Sequence, residues 1–140
     1  MNHLRPILLV DDNEMDVELT LRALKHANLS NPIQVARDGE EALAWIPRWE
    51  AGEPTPLVIL LDINMPKVDG LEVVRQLKLH PVLRVIPVVM LTTSDVSPDV
   101  KAAYLNGANS YIVKPVDFDK FAHVTTQIEL YWAVLNKCAD

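Results

Sequence analysis

Cysteine is almost absent from this 140-residue chain; Cys138 is the only one. No intrachain disulfide can form, and a reducing compartment, the cytoplasm, is the expected setting. Long apolar runs are missing as well. The stretch 7–10 is too short for the core of a signal peptide and meets Asp11 at once. No run approaches the roughly 20 apolar residues of a membrane-spanning helix. An excess of positive charge is lacking too: 13 Lys and Arg stand against 19 Asp and Glu, for a net charge of −6. With a pI of about 5.1, the chain has no general affinity to offer nucleic acid or an anionic membrane, although a small basic patch is compatible with these numbers. The four histidines (His3, His26, His80 and His123) are scattered, with no Cys or His partner at metal-binding spacing. Linkers, low-complexity tracts and sequence repeats are not evident. What is left is one domain, 49% hydrophobic and large enough to bury a core. A receptor-plus-effector architecture does not fit this length, so residues 1–140 are expected to be a single domain without an attached output domain.

What is present is an alternation. A continuous apolar run at 7–10 behind Pro6 reads as a buried strand. Asp11, Asp12 and Asn13 then supply helix-start residues. A helix is expected over 14–27, with Val17, Leu21 and Leu24 at helical spacing and Asn28 as a stop. A second strand is expected over 32–36. Asp38, with Glu41 three residues on, is a helix start of the capping-box kind, and that helix is expected to end or kink at Pro47. After a variable loop at 50–56, a third strand over 57–61 ends on Asp62 and a turn-rich stretch reaching Gly70. A helix follows over 71–79, and a fourth strand over 86–91 runs into Thr92, Thr93 and Ser94. Ser97 and Pro98 open another helix, with proline in the first turn, and Gly107 ends it. A fifth strand at 110–113 meets Lys114 and Pro115, and Asp117 leads into a last helix over 118–136. Five β-α repeats with short loops predict a parallel sheet covered by helices on both faces, and continuous apolar strands fit that burial.

The strands end on unusual residues. In an open parallel sheet, ligands sit beyond the carboxyl ends of the strands, where the strand order reverses. With the order 2-1-3-4-5, Asp11 and Asp12 leave one of the two strands at that point and Asp62 leaves the other. Like charges that close raise one another's pKa, and a divalent cation removes the conflict. Oxygen donors of this kind suit Mg²⁺, which keeps several waters and commonly bridges to phosphate. Thr92, after the fourth strand, brings a hydroxyl to the same edge, and Lys114, after the fifth, brings an ammonium. Carboxylates, metal, hydroxyl and ammonium together form a constellation for phosphoryl transfer, in which one carboxylate attacks and the cations neutralise developing charge.

Taken singly, each of these residues has a plainer reading. Asp11 and Asp12 serve as helix caps worth about 1 kcal/mol, Asp62 as a turn residue, Lys114 as a surface lysine, Thr92 as a turn hydroxyl, Tyr111 as a core residue. Together and in order they resemble the receiver domain of two-component response regulators, over essentially the whole chain. The matching residues are Asp11 and Asp12, Asp62 with Asn64, Met65 and Pro66, Asp69 with Gly70, Thr92, and Lys114 with Pro115. The resemblance implies a flavodoxin-like fold and assigns roles. Asp62 is the phosphoacceptor. Asp12 and Asp62 ligate Mg²⁺ directly, Asp11 acts through water, and the backbone carbonyl of Asn64 is a further ligand. Lys114 contacts the phosphoryl group, and its bond to Pro115 is cis. Thr92 swings toward the phosphate, and Tyr111 changes rotamer with it. Asn64 and Ser94 stand where the family tunes phosphate lifetime. The domain is then a phosphoacceptor catalysing its own phosphotransfer and dephosphorylation, with a sensor histidine kinase as partner, rather than a turnover enzyme.

A phosphatase of the haloacid-dehalogenase kind also uses a strand-end Asp and Mg²⁺, but it needs an acid two positions later. Here that position is Asn64. An interaction module that kept the fold without being phosphorylated is a second rival, and the intact set of site residues argues against it. In the last helix, Phe121, Val124, Ile128, Tyr131 and Leu135 form a docking stripe, while the stretch 130–135 is apolar on nearly all sides. That excess points to a homodimer through the last helix and the face of the fifth strand. The segments 11–16, 91–94, 107–112 and 114–118 and the Tyr131, Trp132 ending resemble the small receivers paired with phytochrome-type histidine kinases.

Overall fold

The computed structural model describes the chain apart from residues 1–4, 27–28, 30, 66, 94–97 and 129–140 and the side chain of Asp99. Five parallel strands, β1 (Ile7–Val10), β2 (Ile33–Ala36), β3 (Val58–Asp62), β4 (Val88–Thr92) and β5 (Ser110–Val113), form one sheet in the order β2-β1-β3-β4-β5. The helices are α1 (Glu14–His26), α2 (Gly39–Leu43), α3 (Trp45–Glu50), α4 (Gly70–Leu79), α5 (Pro98–Leu105) and α6 (Phe118–Gln127), with a short 3₁₀ turn at Leu83–Val85.

Each strand feeds two cores because successive side chains point to opposite faces. Leu8, Val10, Ile59, Leu61, Val88 and Met90 pack with Ala42, Trp49, Val73, Val74, Leu77, Val100 and Ala103, beneath α2 to α5. Ile7, Leu9, Val58, Leu60, Val89, Leu91 and Ile112 pack with Val17, Leu24, Phe121 and Val124, beneath α1 and α6. That two-sided burial is why β1, β3 and β4, buried along their whole length, read as near-continuous apolar runs.

Register places the strand ends. Val10 pairs with Leu61, so Asp11 and Asp62 follow side by side. Asp62 pairs with Leu91, and Thr92 pairs with Val113, one residue before Lys114.

Some element bounds differ from expectation. The helix expected to end or kink at Pro47 is interrupted earlier, at Ala44, and runs helically through the proline to Glu50. Pro47 has no N–H to give the carbonyl of Leu43 four residues back, so α2 ends there. As third residue of α3, the proline stands where an N–H has no intrahelical partner anyway. The strands expected at 57–61 and 86–91 lie at Val58–Asp62 and Val88–Thr92; the 3₁₀ turn and Pro87 occupy the latter's approach. Of the last helix, Phe118–Gln127 is described. Tyr131, Trp132 and Leu135, the helix stop at Asn28, and Ser94 and Ser97 lie outside the described residues.

Candidate functional site

Two strand-end aspartates are locked in the same way. The backbone N–H of Asn13 donates to Asp11 Oδ1 at 3.0 Å, and the N–H of Asn64 donates to Asp62 Oδ1 at 3.2 Å. Each is a turn in which an Asp oxygen takes the N–H two residues on. It fixes one carboxylate oxygen and leaves the other facing the crevice. Those second oxygens meet the same cation: Asp11 Oδ2 lies 3.0 Å from Lys114 Nζ, and Asp62 Oδ2 lies 3.4 Å from it. Gly70 lets α4 start directly under this turn, since a Cβ there would stand 2.2 Å from the backbone oxygen of Asp62.

Asp11, Asp12 and Asp62 each offer a carboxylate oxygen within 4.8 Å of the others. Asp11 and Asp62 are buried, while Asp12 is exposed. Burial pushes the Asp62 carboxyl up; Lys114 pulls it down, Asp11 pushes it up again, and the Asn64 N–H pulls it down, for a result of about 6. For Lys114, burial favours loss of the proton, but its contacts with Asp16 and Asp11 and the charges of Asp62 and Asp11 outweigh that, and its pKa rises.

This donor set fits a divalent cation. Three oxygen donors converge, all hard and anionic, with one ammonium to balance them, and Asp11 Oδ2 is buried without a directed hydrogen bond. Such a set suits a cation that prefers oxygen, and it leaves coordination positions for water and phosphate.

The sequence expectations are brought together unevenly. Asp11, Asp12, Asp62 and Lys114 share one edge. Thr92 ends β4, buried, and its carbonyl accepts the Lys114 N–H at 2.7 Å. The bond from Lys114 to Pro115 is cis. Tyr111 stands apart from the carboxylates, on β5, edge-on to Tyr104 with ring centroids 6.1 Å apart. One participant was not foreseen: Asp16 on α1 accepts a hydrogen bond from Lys114 Nζ at 2.9 Å. The only sequence signal for it is an acid in the first turn of a helix, which ordinarily reads as capping chemistry.

A doubly wound sheet with an acidic cluster and a lysine at its switch point defines a receiver. The response regulator receiver domain family matches residues 7–126, and the chain belongs to it, placing it among the phosphorelay proteins of two-component systems. Among solved structures, the bacteriophytochrome response regulator RtBRR is similar at 48% identity and a TM-score of 0.85, over 96% of this chain and 84% of that one. AtBRR, also a bacteriophytochrome response regulator, is similar at 46% identity and 0.86, over 97% and 100%. Rcp1 of Synechocystis sp. is 38% identical over 128 residues, 90% of this chain and 87% of that protein. Its Mn²⁺-bound structure matches with a TM-score of 0.74 over 95% and 96% of the two chains. FilR2 of Methanothrix harundinacea, a probable methanogenesis regulatory protein, is 41% identical over 132 residues, 94% and 85% of the two chains.

Proposed function

We propose that this protein accepts a phosphoryl group on Asp62 from a phosphohistidine of a sensor histidine kinase, in a reaction that needs Mg²⁺. The clustering of the Asp11, Asp12 and Asp62 carboxylates, with the Lys114 ammonium against two of them, carries this reading. An Asp62 carboxylate oxygen forms the bond to phosphorus as the phosphorus–nitrogen bond of the donor breaks, and the electron pair stays on the imidazole. Asp12, Asp62 and the backbone carbonyl of Asn64 would hold the metal, with Asp11 acting through water, and the chemistry it would supply there is neutralising positive charge. Lys114 supplies a further neutralising charge, its ammonium 3.4 Å from Asp62 Oδ2. Acyl phosphate formation adds about −1.5 to −2 charges at Asp62. Thr92 and Lys114 then have a new anionic partner, and Tyr111 moves with Thr92, changing the surface built from α5, β5 and α6. The phosphate biases two states that already exist.

The likeness to the bacteriophytochrome response regulators RtBRR and AtBRR favours a phytochrome-type kinase as the donor. FilR2, at comparable identity, belongs to another physiology, so the choice of kinase is tested directly by comparing initial phosphotransfer rates from purified kinases, light-regulated ones first. Homodimerisation through the last helix and the β5 face belongs to the same reading. Asp62→Asn is expected to abolish phosphate incorporation from the cognate kinase; normal stoichiometry in that variant overturns the assignment.

A further inference from the structure

Lysine is a poor choice for holding a direction. Its ammonium is a point charge with three rotatable donors on a flexible four-carbon stem. A site that needs this charge aimed at Asp62 must fix it from outside. Three carboxylates surround Lys114 Nζ: Asp16 at 2.9 Å, Asp11 at 3.0 Å and Asp62 at 3.4 Å. Among the described residues, the contact that meets hydrogen-bond geometry is the one to Asp16. The two acids of the proposed metal site add attraction from 3.0 and 3.4 Å.

The local sequence explains why Asp16 is available. Asn13 caps α1, its side-chain oxygen accepting the backbone N–H of Asp16 at 3.0 Å. Asp16 is therefore the third residue of the helix, where an acidic side chain usually turns back onto the N–H of the cap residue. Here that N–H belongs to Asn13 and is already donated to Asp11 Oδ1. The capping geometry thus releases the Asp16 carboxylate to reach across to Lys114, 98 positions away in the chain. α1 supplies a rigid mount, since Val17, the next residue, is buried in the core. A negative charge in this first turn also sits at the positive end of the helix dipole.

We propose that Asp16 is a positioning residue for phosphoryl transfer, holding the Lys114 ammonium so that it faces Asp62. This rests on Asp62 being the phosphoacceptor. The plain alternative is an ion pair that only ties β5 to α1.

Two measurements separate the cases, on wild type, Asp16→Ala and Asp16→Asn, each checked for folding by circular dichroism. The first is ¹⁵N relaxation of the Lys114 side-chain ammonium without metal. It is expected to be restrained in wild type and loosened in Asp16→Ala. The second is the rate of phosphorylation by phosphoramidate as a function of Mg²⁺ concentration. The maximal rate is expected to fall about tenfold in Asp16→Ala, with the half-saturating Mg²⁺ concentration little changed. Asp16→Asn, which keeps an acceptor oxygen, is expected to recover most of the loss. An unchanged maximal rate in Asp16→Ala overturns the proposal, and so does a slowed variant whose ammonium stays as restrained as in wild type. A shift confined to the Mg²⁺ requirement overturns it as well, by making Asp16 a contributor to metal affinity. If wild type takes no phosphate from any donor, the phosphoryl-transfer reading falls, and the metal-free relaxation still decides whether Asp16 orients Lys114.

Discussion

Asp62 stands between burial, which favours its neutral form, and an ammonium, which favours its charge; burial wins, leaving its pKa at about 6 against an ordinary 3.8. A raised carboxyl pKa means that the folded state tolerates the proton better than the unfolded chain does. Below about pH 4 the group is neutral in both states and burial is harmless. As pH rises through the window from about 4 to 6, the unfolded chain ionises first and stability falls, and above it the loss is constant. Asp62→Asn removes that cost. Without metal it is expected to stabilise the fold by on the order of 2 kcal/mol at pH 8, a gain that fades toward pH 4. Urea unfolding at both pH values measures this, and a gain that persists at pH 4 contradicts it. Mg²⁺ should reverse the balance for wild type by binding only the folded form, adding about 2.7 kcal/mol at a hundredfold excess over its Kd. Asp12 is exposed, so Asp12→Asn should leave metal-free stability nearly unchanged and lose most of that Mg²⁺ increment; an equal increment in wild type and variant removes Asp12 from the metal site. The strand-end acids were legible in the sequence because each interrupts an apolar run. Asp16 was not, because an acid in a first helical turn has a sufficient local reason to be there and its ammonium partner arrives from the far end of the chain.

At the scale of elements, local chemistry was the readable part. Asp38 caps α2 by accepting the Glu41 N–H at 2.8 Å, and Asp117 caps α6 by accepting the Lys120 N–H at 2.9 Å; both follow from residue type and spacing. The bounds that moved depend on distant partners. β3 extends onto Asp62 because Leu91 lies beside it, and no pattern within 57–62 announces that. Close approaches of backbone to backbone were equally invisible. Gly70 begins α4, and helix propensity alone favours Ala over Gly there by about 1 kcal/mol. A Cβ at this position would lie 2.2 Å from Asp62 O and 2.9 Å from Ile63 Cα, both backbone atoms that cannot swing aside. Overpacking costs about 1–3 kcal/mol, so steric cost outweighs propensity and Gly70→Ala is expected to destabilise. The same displacement moves the turn that presents Asp62, so the variant should also need more Mg²⁺ for half-maximal phosphorylation. Urea unfolding and a Mg²⁺ titration test the two parts; a stabilised variant with an unchanged Mg²⁺ requirement shows that the loop yields freely.

For the whole molecule, strand order was readable only conditionally, since the β-α alternation establishes five strands and leaves their order across the sheet to topology. The order β2-β1-β3-β4-β5 meets the condition on which the site depended. It also leaves β5 at an edge, flanked by α5 and α6. Between them lies a groove of about 440 Å³ whose lining includes Tyr104, Tyr111, Val113, His123 and Gln127. Tyr104 is 44% exposed and Leu105 80%, an apolar presentation at an open sheet edge. A second copy docked on this face, as proposed, would cover the aromatic pair. A stable interface buries about 800 Å² per partner. Sedimentation velocity of the full chain is expected to show a dimer at micromolar concentration. Tyr104→Asp places a charge on this exposed apolar patch, away from the carboxylate edge, and it should shift the protein to monomer with phosphorylation of Asp62 retained. A wild-type monomer well above micromolar concentration disposes of the dimer, and a Tyr104→Asp variant that stays dimeric moves the interface to another face.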